Sequence, residues 1–254
     1  VRSETLQSAY GVSVILFALL FAVPAARACE PASFFLFRDE ARVRLDSLSA
    51  APDRENALDR LVLMHNLAFH KDKEQRERAE KFLDKQFPKK IRSALIRAYM
   101  GSLRMIKVSH RTTGSKVLRT INPLTKSPLA EAREGYRMIS EAVESDSSNT
   151  LLRLLRVTAA AESAEHLHEL FDSAKIDLEW LAPRTDPSDS VYLFLIHLNW
   201  AKYHYKLFKM NRAGHDREEA ERHVKEALEH SCTPVYRQWA MEWRERILRA
   251  TEIE

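Results

Sequence analysis

Breaker residues are scarce in this chain, and that scarcity limits the folds open to it. Glycine occurs only five times in 254 residues, at Gly11, Gly101, Gly114, Gly135 and Gly214. Between these points apolar and small residues return at i, i+3, i+4 spacing in segment after segment, the period of amphipathic helices. The β-branched residues lie scattered among Ala, Leu, Glu, Lys and Arg, so no segment reads as a strand. The expected fold is all-α. Several long aromatic-bearing helices are each followed by a shorter alanine-bearing one, which predicts antiparallel hairpins stacked as an α-solenoid.

Composition fits an ordered globular chain, with 45% apolar and 30% charged residues. Net charge is +4. Residues 1–28 carry Arg2, Glu4 and Arg27, so the remainder holds +3, too little to imply nucleic acid.

Residues 1–28 read as a signal peptide. Arg2 gives a positive start, Gly11 to Pro24 is apolar, and Ala26-Arg27-Ala28 has the A-x-A form of a cleavage site. The apolar stretch would span roughly 21 Å as a helix, short of a ~30 Å hydrocarbon core. Export to the periplasm or cell envelope is therefore expected, with residues 29–254 as a single helical domain. Cys29 stands directly after the A-x-A site. It is a candidate for lipid attachment, and a free N-terminal cysteine or a disulfide with Cys232 are the competing readings.

Helices are expected over about 33–49, 53–69, 72–86, 89–108 and 129–145, then from Thr150, then over about 165–181, 189–208, 216–230 and 234–252. Pro88, Pro183 and Pro187 mark boundaries, and His110 to Pro128 reads as a long connector.

Leu95, Tyr99 and Gly101, followed by Tyr136 and Ala142, resemble helices A and B of a tetratricopeptide repeat (TPR). Trp200, Ala201 and Tyr203, followed by Ala220, Val224 and Ala227, resemble a second unit. Small residues let two axes approach while aromatics fill the groove above them. Ser147-Ser148 stands where the repeat usually ends in proline, about twenty residues separate the first two helices, and no 34-residue period holds end to end. Residues 91–181 are also similar to an uncharacterised group of exported bacterial TPR-like proteins, through Ala98-Tyr99-Met100-Gly101-Ser102 and Asn149 to Val157. The resemblance implies a fold and supplies no catalytic or ligand-binding residue.

Between Lys85 and Ala130 there is no Asp or Glu, against eleven Lys and Arg. Arg104, Lys107, Arg111, Lys116, Arg119 and Lys126 form the candidate partner-binding patch around the 109–128 connector. It suits an anionic surface or an acidic protein, unless acidic neighbours in space balance it. Tyr203, Tyr205 and Trp239 are candidates for lining a groove, and the alternative for such residues is core packing. Histidine pairs occur at His65/His70, His166/His168 and His197/His204. HExxH is absent, so no metal is expected. No P-loop, G-x-G-x-x-G or G-x-S-x-G is present, and Asp172 with Asp177 reads as an ordinary polar face. The expectation is a non-enzymatic exported adaptor for protein–protein interaction, without cofactor, with a small-ligand or transport-accessory role as the alternative.

Overall fold

Helix starts are fixed locally by side chains that take up otherwise unpaired backbone N–H groups. Asp72 accepts from the Gln75 N–H, Ser127 from Ala130, Asn149 from Leu152, Asp189 from Tyr192 and Thr233 from Tyr236. Pro128 and Pro234 follow two of these caps at the first helical position, where a missing N–H costs nothing.

The computed structural model describes residues 38–48, 56–70, 72–87, 93–112, 127–162 and 169–250. Ten α-helices run through them: α1 Arg38–Leu48, α2 Ala57–Phe69, α3 Lys73–Gln86, α4 Ala94–Thr112 and α5 Pro128–Ser145, then α6 Thr150–Glu162, α7 Glu169–Leu181, α8 Ser190–Asn211, α9 Gly214–Glu229 and α10 Pro234–Arg249. One 3₁₀ turn, Ala182–Arg184, follows α7, and no sheet occurs among the described residues. The expected α4 ended near 108, and the helix continues to Thr112. Residues 1–28, including the expected signal peptide, and Cys29 lie outside the described residues. Cys232 is disulfide-bonded. No helix among the described residues is long and apolar enough to cross a membrane.

The helices pack mainly as sequential pairs, α4 with α5 and α8 with α9 most closely. Alternate helices also touch, α2 with α4, α4 with α6, α6 with α8 and α8 with α10. The reason for close approach is visible at the α4–α5 crossing. A Cβ on Gly101 would stand 2.3 Å from the carbonyl oxygen of Gly135, and one on Gly135 would stand 2.6 Å from that of Gly101. Around this backbone-to-backbone contact Tyr99, Leu103, Ile139 and Ala142 are buried. Between α8 and α10, Phe194 stacks on Tyr236 at 4.6 Å, and both rings are fully buried.

Polar pairs also tie alternate helices together. Tyr136 of α5 bonds Ser173 of α7, and the Asn199 amide of α8 donates to Thr158 of α6 at 3.3 Å. His65 of α2 lies 2.8 Å, Nε2 to Oγ, from Ser102 of α4, with its ring edge-on to Tyr99. Its other nitrogen, Nδ1, is buried without a hydrogen-bond partner, so a proton there would have no acceptor. Burial accordingly lowers the His65 pKa to about 4.

The unfolded chain takes up that proton near the ordinary value of 6.5. The stabilisation from a neutral His65 is therefore intact above about pH 6.5 and is lost as pH falls from there towards 4, at about 1.4 kcal/mol per unit. Urea unfolding measured between neutral pH and about pH 5 is expected to lose stability more steeply for the wild type than for His65→Gln, by about that slope. Parallel curves would show that His65 is not the group responsible.

Candidate functional site

Two features converge on α8. The first is a cleft of about 450 Å³ lined by Phe69 and His70 at the end of α2, Glu162 at the end of α6, and Val235, Gln238, Trp239, Glu242, Trp243 and Arg246 of α10. The α10 residues follow i, i+3, i+4, i+7 spacing, so they form one stripe of that helix. Its other stripe, with Tyr236, Ala240 and Ile247, is buried in the core.

Lys202 of α8 does not line the cleft but packs against two of its rings. It is 1% exposed, lies 4.5 Å from the centre of the Trp239 ring and 5.2 Å from that of Trp243, and ion-pairs with Glu162. Arg246 covers Trp243 at 4.9 Å, and Phe69 meets Trp239 edge-on at 6.4 Å. A carboxylate in the last turn of a helix opposes the helix dipole, so Glu162 gains nothing from α6 itself. Desolvation would raise its pKa, and the positive charges of Lys202, Lys206 and Arg246 overcome this and leave it below the ordinary value. The cleft thus presents two indole rings, the Arg246 guanidinium and the Glu162 and Glu242 carboxylates, with the buried Lys202 ammonium packed against the rings.

The second feature is a histidine network between α8 and α9. His197, Trp200 and His204 share one stripe of α8. Asp216, Glu219, His223 and Glu226 share the opposing stripe of α9, and His230 follows. The turn between the helices is made by Arg212, in left-handed conformation at φ 54°, whose N–H caps the Phe208 carbonyl at 2.8 Å. Trp200 stacks on both His204 and His223 at 5.5 Å, and His197 stacks on His230 at 5.7 Å. His204 Nδ1 lies 3.1 Å from Asp216. Arg222 bridges Glu219 and Glu226 and also reaches His223 Nε2 at 2.8 Å. Burial, then the Arg222 charge, lowers the His223 pKa to about 3. Burial also lowers His197, against the pull of Glu226. Both rings are neutral at physiological pH, with lone pairs available.

The sequence-derived candidates separate. Trp239 lines the cleft. Tyr203 is buried against Phe171 and Trp200, at 5.8 and 5.6 Å, and does not face the cleft. Tyr205 supports Trp243 edge-on at 5.9 Å. Arg104 and Lys107 pair with Glu134 and Glu131 of α5, at 3.6 and 3.3 Å, so acidic neighbours in space answer these two charges. Lys116, Arg119 and Lys126 lie outside the described residues, as does the side chain of Arg111. Asp177, read as part of a polar face, is instead completely buried between Arg153 and Arg156.

Sequence reasoning missed Lys202, Glu162 and Arg246, which come together only when three helices pack. The available signal was Trp239 and Trp243 at i, i+4. It also missed His223 as the partner of His197 and His204, because pairs were sought within one helix. Comparison with family models, curated proteins and solved structures returned no match.

Proposed function

We propose that this chain is a TPR-like helical adaptor that holds a segment of a protein partner in the cleft between α2, α6 and α10. The carrying observation is the cleft itself, where Trp239 and Trp243 are fixed against Lys202 and Arg246. Tryptophan and arginine in a desolvated recess are the residue types that most often dominate binding energy. Rings already held by packing lose little freedom on association. A partner segment placing an apolar or aromatic side chain against Trp239 meets carboxylates and cations on either side, which fix its register. The export reading of residues 1–28 places this adaptor in the cell envelope and belongs to the same proposal.

Affinity capture from an envelope extract with the full chain, followed by titration of the purified partner, tests this. Trp239→Ala is expected to weaken the partner by about 2 kcal/mol, roughly thirtyfold, in titrations run at a temperature where circular dichroism shows the variant fully folded. Equal affinity of wild type and Trp239→Ala would remove the cleft from partner binding.

The size of the cleft favours one second reading, because about 450 Å³ falls in the range of small-molecule sites. A small solute co-purifying with wild type and absent from Trp239→Ala, with no protein captured, would select that reading.

A further inference from the structure

We propose that His197, His223 and Glu226 form a binding site for a zinc-class divalent metal ion, joining α8 to α9. Three donor atoms converge there. His197 Nδ1 lies 3.1 Å from His223 Nδ1 and 2.8 Å from Glu226 Oε2, and His223 Nδ1 lies 3.6 Å from the same oxygen. An ion with tetrahedral bonds of about 2.0–2.2 Å places its ligand atoms about 3.3–3.6 Å apart. The 5.4 Å between the ring centres shows the two Nδ1 lone pairs aimed at each other, so each ring must turn by roughly 35° to share one tetrahedral ion. Two imidazoles and one carboxylate suit zinc and its neighbours, and they leave a fourth position for water.

Hydrogen bonding leaves one contact of this arrangement unanswered. Arg222 Nη2 can only donate, and it approaches His223 Nε2 at 2.8 Å, so that nitrogen must accept and the ring proton must sit on Nδ1. That proton satisfies the 3.1 Å contact only if His197 Nδ1 carries a lone pair. The Glu226 oxygen stands beside that nitrogen at 2.8 Å, well off the line between the two rings, so no hydrogen bond joins them. Placing a proton on His197 Nδ1 sets two N–H groups against each other across the first of these contacts. Moving the His223 proton to Nε2 repairs the first and opposes Arg222. The first tautomer satisfies both hydrogen bonds and leaves a carboxylate oxygen against an unprotonated nitrogen at 2.8 Å.

A cation between the three atoms removes that contact once the two rings have turned to present their lone pairs to it. The His223 ring carries its proton on Nε2 in that state. Glu219 Oε2, at 3.9 Å, is the acceptor placed to take it. Arg222 is 48% exposed and keeps Glu219 and Glu226 as partners, so it can release His223. Its bond to Glu226 Oε1 at 2.7 Å orients the carboxylate whose other oxygen meets the metal. His204, Glu219 and His223 form a neighbouring trio within reach of one ion. It is looser, and Arg222 blocks its central nitrogen.

Calorimetric titration of the full metal-free chain with zinc sulfate tests the assignment, together with the visible absorption of the cobalt(II) form. The expected result is one zinc per chain, a cobalt spectrum of four-coordinate type and a thermal midpoint that rises with zinc. His223→Ala and Glu226→Gln are each expected to weaken zinc by more than about a hundredfold, beyond the loss from disturbing an outer partner. His215→Gln, on an exposed residue at the start of α9, is expected to bind as wild type. Glu226→Gln keeps the shape of a half-buried side chain, so its effect can be read even if His223→Ala folds poorly. Absence of zinc uptake by wild type would overturn the site. So would unchanged affinity in Glu226→Gln, or loss on His204→Gln and Glu219→Gln while Glu226→Gln still binds.

Discussion

Asp177→Ala is expected to cost about 3–5 kcal/mol of folding stability, the range for removing one partner of a buried ion pair. Asp177 is fully buried in α7, and its carboxylate takes a 2.6 Å bond from Arg153 and bonds of 2.6 and 2.8 Å from Arg156, both on α6. The two guanidinium groups are themselves only 11% exposed. Alanine leaves both buried near one another with no anion between them, and water reaches them poorly. Arg153 retains the face of Trp180 at 4.3 Å, which offsets part of the loss.

Because a domain of this kind holds only about 5–15 kcal/mol in total, Asp177→Ala can approach the unfolding threshold. Asp177→Asn keeps the shape and some hydrogen bonds and is expected to lose less, about 2 kcal/mol, in equilibrium urea unfolding. A loss below about 1 kcal/mol for Asp177→Ala would mean that the two arginines find other partners or solvent.

Gly101→Ala is the second large effect, and its sign runs against helix propensity. In a helix interior alanine is favoured over glycine by about 1 kcal/mol. Here the added Cβ would lie 2.3 Å from the Gly135 carbonyl oxygen and 2.9 Å from Ile139 Cγ1. A backbone carbonyl cannot swing aside as a side-chain tip can. The α4 and α5 axes must therefore separate by about an ångström, and the packing around Tyr99 and Ile139 opens with them. The expected net loss is about 3 kcal/mol, at the upper end of overpacking effects. Gly135→Ala is expected to behave alike, since its Cβ meets Gly101 from the other side.

The double variant is expected to lose less than the sum, because the first separation makes room for the second methyl group. Gly214→Ala is the control. Nothing stands within 4 Å of its Cβ, so a change within about 0.5 kcal/mol is expected. A neutral Gly101→Ala would show that the two helices cross with more space than the structure has.

These two sites show where sequence reading succeeds and stops. Gly101, with Leu95 and Tyr99, was legible as a close helix crossing because a small residue stands among large ones in a pattern that resembles helix A of the repeat. The partner across the gap, Gly135, was not. Asp177 looked like any acidic residue on a polar face. Its spacing within α7 carries no trace of Arg153 and Arg156, which lie 24 and 21 residues earlier. The cleft was half legible for the same reason. Trp239 was a groove candidate from its own helix, whereas Lys202 and Glu162 belong to two others. Tyr203, equally aromatic and equally periodic, turned inward against Phe171 because its stripe of α8 faces α7.

The sequence by itself determined that the chain is helical, nearly where each helix begins and ends, and which residues share a stripe. Those properties follow from local rules: a period of 3.6, caps within three residues, and prolines and scarce glycines as punctuation. The tertiary structure alone decided which stripes meet and at what axial offset, and so which distant residues became neighbours. It placed His223 against His197, and Trp239 and Trp243 over Lys202. Such meetings depend on how closely two axes approach and how far one helix slides along the other. Shape-matched packing at points such as Gly101 and Gly135 sets both, and that information is not carried by any single segment.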